Sequence, residues 1–180
     1  MVTVIKDVNL FDEIKKYDLI IVTTNTYGSM RNGFEHDVEL NYPYVKDANL
    51  LTKYGDVSKM GTIIECAQEN EPTFILSFIC KGYPFRKKGE TPDFLSYESL
   101  EKCLKLINVK YKGKTIAAPM IGCSRFDGNG DKERVMEIIN NTLTDVNIII
   151  YDYFQETREE KKMRIYKEEM AVKEKDYQAY

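Results

Sequence analysis

The chain carries a single histidine, His36, in its 180 residues. A Ser-His-Asp or Cys-His catalyst would have to use that one ring. The four cysteines, Cys66, Cys80, Cys103 and Cys123, are widely spaced and form no Cys-x-x-Cys pair. With so little histidine, a structural zinc site is not expected, and no metal or other cofactor is called for. No apolar run approaches the roughly 18 residues that a membrane-spanning helix needs. Met1–Lys6 reads as a strand from the start, not as a secretory leader. These absences lead to the expectation of a cytoplasmic protein with reduced thiols and no membrane span. The net charge of −3 gives no general attraction to nucleic acid. A nucleic-acid role would need a local patch, such as Arg86-Lys87-Lys88 with nearby tyrosines, and such a run is more often a solvated loop.

What is present is an alternation of strand and helix patterns. Asp18–Thr24 is a continuous apolar run without alternation, as expected of a strand covered on both faces. Gly61–Gln68 and Thr73–Cys80 read as two strands of a hairpin joined through Glu-Asn-Glu-Pro. Ser96–Tyr111 has Leu100, Cys103, Leu104 and Ile107 at helical spacing, with Ser96 as its cap. Leu10–Tyr17 and Asp131–Leu143 read as further helices, Thr115–Ala118 and Val146–Tyr151 as further strands. Phe34–Tyr54 is helical in part, with Pro43 limiting one piece. The order predicts an α/β protein, a three-layer α/β/α sandwich around a mixed sheet. The expected boundaries are a domain over 1–153 and a charged, helical C-terminal tail over 154–180.

Ligands of such sheets bind beyond the carboxyl ends of the strands. The loops after Thr24, Cys80, Ala118 and Tyr151 are therefore expected at one rim. The loop Pro119–Gly130 reads Pro-Met-Ile-Gly-Cys-Ser-Arg-Phe-Asp-Gly-Asn-Gly, between a strand and a helix. Glycines there let a backbone approach phosphate, and loop amides with a helix N-terminus supply partial positive charge. The loop is neither a P-loop nor Gly-x-Gly-x-x-Gly. It also holds an acid, Asp127, from which a plain phosphate cradle would gain nothing.

Other candidates face the same rim, each with an ordinary alternative. Asn25–Phe34 is a ligand loop or a plain strand-to-helix turn. Lys81, leaving a buried strand, is a partly desolvated nucleophile or a surface lysine. Tyr151 and Tyr153 stack on a base or pack. Asp7 accepts from an amino group or caps a helix. His36 reads as a polar residue near a helix start.

Together these pieces resemble a macrodomain, the ADP-ribose-binding α/β/α module. Ala118-Pro119-Met120-Ile121-Gly122-Cys123 resembles the family's phosphate loop, Pro-x-Ile-Gly-Cys-Gly after a strand. Asp18–Asn25, Met30–Phe34 and Val146–Tyr153 resemble its asparagine-bearing strand end, its Gly-x-Gly-hydrophobic segment and its closing strand. Phe78-Ile79-Cys80-Lys81, the helix start Leu95–Leu100 and Asp127 are similar to the branch that removes ADP-ribose from glutamate esters. Ser124-Arg125 stands where the family has its second glycine and the residue after it, and Arg31-Asn32 where it has Gly-Ala or Gly-Gly.

The resemblance implies binding of ADP-ribose or an ADP-ribosylated substrate. Asp7 would meet adenine, with Tyr151 and Tyr153 alongside. Gly33, Phe34, Gly122, Cys123, Ser124, Arg125 and Phe126 would hold the diphosphate and Asn25 the distal ribose, with Val8, Met30 and Ile121 also among the ligand-binding residues. It implies hydrolysis at the 1'' carbon, of ADP-ribose 1''-phosphate or an ADP-ribosyl-glutamate ester. Lys81 would be the nucleophile and Asp127 the general base. A non-catalytic ADP-ribose-binding module is the alternative.

Overall fold

The computed structural model describes residues 1–30, 33–82, 95–124, 128–153, 162–163 and 165–171. Six strands form one sheet: β1 (Val2–Lys6), β2 (Leu19–Asn25), β3 (Ile63–Cys66), β4 (Thr73–Cys80), β5 (Thr115–Pro119) and β6 (Asn147–Asp152). Their order is β1-β6-β5-β2-β4-β3. β1 pairs with β6, β6 with β5, β5 with β2 and β2 with β4, all parallel; only β3 is antiparallel, to β4. The hairpin pattern around Glu69–Pro72 thus produced the one antiparallel edge, although β3 is shorter than its apolar run suggested.

The sheet is covered on both faces. Successive residues of each strand point to opposite sides, and the buried side chains sort accordingly. Ile21, Ile75, Ile79, Ile116, Ala118, Ile148 and Ile150 pack into one core. Ile20, Val22, Phe74, Leu76, Phe78, Ala117 and Tyr151 pack into the other. The first core is closed by α4 (Tyr97–Lys110), through Leu100, Cys103, Leu104 and Ile107, and by α5 (Lys132–Thr142), through Val135 and Ile139. The second is closed by α1 (Leu10–Glu13), α2 (Gly33–Asn41) and α3 (Pro43–Leu50). This double covering is why β2 and β4 read as unbroken apolar runs.

Pro43 separates α2 from α3 by opening the second helix, where a missing N–H costs nothing. Ser96 caps α4 by accepting from the Ser99 amide at 3.2 Å. Asp131 caps α5 by accepting from the Arg134 amide at 2.8 Å. Residues 162–163 and 165–171 are helical, and Met163, Ile165, Tyr166 and Met170 are exposed there. Among the described residues no helix is long and apolar enough to cross a membrane.

Removing the α5 cap tests how firmly that helix start is held. Asp131→Ala is expected to lower stability by about 1 kcal/mol, and Asp131→Asn to restore most of it. Urea denaturation followed by circular dichroism measures both. No change on going to alanine would show that the cap is dispensable.

Candidate functional site

The carboxyl ends of β2, β4, β5 and β6 open into one cavity of about 330 Å³. Thr23 and Thr24 line it from β2, Ile79 and Cys80 from β4, and Pro119 from β5. Tyr151, Asp152 and Tyr153 line it from β6, Asn9 and Leu10 from the start of α1, and Gly33, Phe34 and Glu35 from the start of α2. The glycine loop closes it with Met120, Gly122, Cys123, Ser124, Gly128 and Gly130. Backbone bonds draw the strand ends together. Met120 N–H donates to Tyr151 O at 3.0 Å, and Asp7 N–H donates to Asp152 O at 3.1 Å.

The glycine loop is folded onto itself. Gly122 adopts a φ of +64°, and a Cβ there would meet Leu95 at 2.9 Å. Gly122 O accepts the Gly130 amide at 2.9 Å. Gly128 fits so closely against the same carbonyl that a Cβ would lie 2.3 Å from it. No side chain survives that contact, so glycine is required there by space. Leu95 is held beneath the loop, its N–H donating to Gly128 O at 2.8 Å, while the Ser96 N–H donates to Ile79 O at 3.0 Å. The start of α4 thereby ties the loop to the end of β4.

Two helix N-termini, α2 at Gly33 and α5 at Lys132, approach the cavity. Each carries partial positive charge from its first amides. Lys132 pairs with Asp152 at the mouth. On the opposite wall, Thr23 Oγ1 donates to the buried Glu35 carboxylate. Tyr151 is 1% exposed, and its hydroxyl donates to Glu13 Oε2 at 2.6 Å and lies 2.5 Å from the Tyr17 hydroxyl. Burial, followed by the Glu13 carboxylate, pushes the Tyr151 phenol well above its ordinary value. At neutral pH the phenol is therefore uncharged.

Of the expected ligand residues, Gly33, Phe34, Gly122, Cys123, Ser124, Tyr151 and Tyr153 line the cavity. Met30 and Ile121 are buried at 2% and 1% and support the loops from within the two cores. Asp7 is exposed and Val8 half-buried, next to the lining residue Asn9. Asn9, not Asp7, caps α1, accepting from the Phe11 amide at 3.0 Å. Asn25 uses its side chain to hold its own loop: Oδ1 accepts from the Tyr27 and Ser29 amides, and Nδ2 donates to Ser29 O at 2.9 Å. Lys81 is exposed, so the desolvation expected of a lysine leaving a buried strand is absent. Its backbone is fixed, because Lys81 O accepts from Thr26 N at 3.1 Å and from Thr26 Oγ1 at 2.6 Å. Arg125, Phe126 and Asp127 lie outside the described residues, as do Arg31-Asn32 and Arg86-Lys87-Lys88.

No protein-family model and no curated protein matches the sequence. Solved structures do match in shape. The macrodomain of Thermus aquaticus DarG superposes with a TM-score of 0.63 at 15% identity, over 84% of this chain and 98% of that one. The macrodomain of Mycobacterium tuberculosis DarG gives 0.61 at 18% identity, over 86% and 99%. The chain has the macrodomain fold. Thermosipho africanus DarTG, solved in complex with ADP-ribose, matches with 0.56 at 19% identity over 79% of this chain and 39% of its own.

Within this macrodomain-fold cavity, sequence reasoning missed Asn9, Leu10, Thr23, Glu35, Met120, Lys132 and Asp152 as lining residues. Asn9 had a legible signal, an amide side chain immediately ahead of an apolar helix start. Glu35 had none, since a charge in the first turn of a helix usually faces water.

Cys123 gives a direct probe of the cavity wall. Burial pushes its thiol up to about 11. At pH 8 its alkylation by iodoacetamide is expected to be roughly a hundredfold slower than that of a free cysteine, rising about tenfold per pH unit, because the thiolate is the nucleophile. Peptide-level mass spectrometry reads the rate. Reaction as fast as free cysteine would show a solvated thiol and a more open loop.

Proposed function

We propose that this protein binds ADP-ribose in the cavity and hydrolyses derivatives that carry a group on the 1'' carbon. The observation that carries the reading is the Gly122–Gly128–Gly130 closure opposite the N-terminus of α2. It creates a backbone-walled cleft between two helix N-termini, the arrangement that suits a diphosphate. The ADP-ribose bound to the Thermosipho africanus neighbour supports the same ligand. Residues 1–153 are taken as the binding domain and 154–180 as an appended charged tail.

In this reading the adenosine lies toward Asp7, Val8, Tyr151 and Tyr153. The diphosphate lies along Gly33-Phe34 and the loop from Ile121 through Phe126, and the distal ribose lies toward Asn25, beside Met30. The Lys81 amine bonds to the 1'' carbon, its proton passing to Asp127, as the carboxylate or phosphate departs with the electron pair of the broken C–O bond. Asp127 returns that proton to the ring oxygen as the ring opens to an imine on Lys81. It then takes a proton from the water that adds to the 1'' carbon, the C–N bond breaks with Lys81 regaining the proton, and ADP-ribose is released. Two placements support the pair. Lys81 directly follows Cys80, a cavity residue, on a backbone clamped by Thr26, and Asp127 lies in the chain between Ser124 and Gly128, both cavity residues. The exposure of Lys81 favours the second reading, a module that binds ADP-ribose without turning it over.

Calorimetry with ADP-ribose and product release from 1''-phosphate and glutamate-ester substrates separate the readings. Wild type is expected to bind and to release. Lys81→Ala is expected to stop release with ADP-ribose affinity kept within about threefold, and Asp127→Ala to slow release by about 10² to 10⁴. Binding without any release would leave the non-catalytic module, and absence of binding would remove both readings. Gly128→Ala, with its fold verified by circular dichroism, is expected to weaken ADP-ribose at least tenfold, about 1.4 kcal/mol. Unchanged affinity would place the ligand away from the loop.

A further inference from the structure

Asp152 is the last residue of β6 and Lys132 the first of α5, and the two pair through Asp152 Oδ2 and Lys132 Nζ. Both line the cavity. Helix energetics do not explain the lysine, because a positive charge in the first turn opposes the macrodipole. The start of α5 is already capped by Asp131. Nor does stability explain the pair, since partly exposed ion pairs contribute little to it.

The two partners are unequal. The Asp152 side chain is 20% exposed and that of Lys132 53%. The Asp152 backbone is fixed as well. It stands opposite Lys6 in the β1–β6 ladder, and its carbonyl accepts the Asp7 amide at 3.1 Å. The carboxylate is therefore the rigid member, and Lys132 is the arm that steadies one of its oxygens. A carboxylate has lone pairs for further donors on both oxygens.

Its place along the cavity indicates what the further donor is. Successive side chains of a strand point to opposite faces. Tyr151 packs into the second core and Ile150 into the first, so Asp152 projects on the face of α5 and the glycine loop. Cys123 of that loop lies within electrostatic reach of both Lys132 and Asp152. With adenosine at Tyr151 and Tyr153 and the diphosphate along the glycine loop, the ribose that joins them crosses the end of β6. The groups it carries past Asp152 are hydroxyls. A carboxylate in such a position accepts from the 2'-hydroxyl of an adenosine ribose, and a phosphate on that oxygen would set charge against charge.

The geometry points to Asp152, positioned by Lys132, as the residue that reads the adenosine ribose. It accepts from the 2'-hydroxyl and makes the site select ADP-ribose over its 2'-deoxy and 2'-phosphorylated counterparts. The inference rests on the ADP-ribose reading above.

Calorimetry on the full chain tests it, with ADP-ribose compared with the ligands that are 2'-deoxy or 2'-phosphorylated on the adenosine ribose. Wild type is expected to bind ADP-ribose roughly tenfold or more tighter than either, as suits a hydrogen bond to a charged acceptor. In Asp152→Ala, ADP-ribose and the 2'-deoxy ligand should bind alike. The 2'-phosphorylated ligand should gain about tenfold there, because Lys132 is released to pair with its phosphate, and adding Lys132→Ala should remove that gain. Asp152→Asn keeps an acceptor oxygen without the charge. It should retain part of the preference over the 2'-deoxy ligand and lose the preference over the 2'-phosphorylated one. Equal wild-type affinity for ADP-ribose and the 2'-deoxy ligand would overturn the proposal while leaving the ADP-ribose site standing. So would a loss in Asp152→Ala shared equally by all three ligands, which would make the pair a structural one. Tighter wild-type binding of the 2'-phosphorylated ligand would overturn it as well, by showing that Lys6 and Lys132 outweigh the carboxylate. Failure of all three to bind would instead remove the parent reading, and this one with it.

Discussion

The close approach of Gly128 to the Gly122 carbonyl is the contact on which the site depends. That carbonyl also receives the Gly130 amide. The loop therefore turns back on itself within nine residues and covers Leu95. Leu95 in turn fixes the start of α4 against the end of β4. A methyl group at Gly128 would force the two halves of the loop apart, and the wall between β4 and α5 would open. The stability of the fold rests elsewhere, on two apolar cores that large side chains such as Phe74 and Ile107 fill completely. Burying each such side chain contributes about 1.5 to 3 kcal/mol. The cores hold the strand ends in place, and the glycine contact turns those ends into a cavity.

Thr26 plays a comparable part on the other side. It is fully buried, and its three polar backbone and side-chain atoms bond Cys80, Lys81 and Gly55. Asn25 next to it closes its own turn by bonding Tyr27 and Ser29. A Cβ on Gly82 would fall 2.6 Å from the Asn25 side chain, so the chain after Lys81 is pressed against that turn. The position of the Lys81 backbone is therefore dictated by tertiary hydrogen bonds, while its side chain remains in solvent.

The sheet was legible because its physics is local. β2 and β4 lacked alternation, which is what burial on two faces produces, and the caps Ser96 and Asp131 stood where their helices begin. The convergence of the loops followed from the strand pattern, since parallel strands place their carboxyl ends on one edge. Residues whose role depends on a distant partner were not legible. Glu35 lies inside because Thr23 meets it, and Lys132 reaches the mouth because Asp152 is there. Tyr151 was open between stacking and packing; its hydroxyl is tied to Glu13 and its ring, buried in the second core, borders the cavity. Asp7 as a helix cap failed for a local reason, because Asn9 stands closer to the first turn.

A crystal structure with ADP-ribose would test the central claim most directly. The diphosphate is predicted between the Gly122–Ser124 backbone and the N-terminus of α2, with the distal ribose toward Asn25 and Lys81. A diphosphate bound outside that cleft, or a distal ribose turned toward Tyr151, would contradict it.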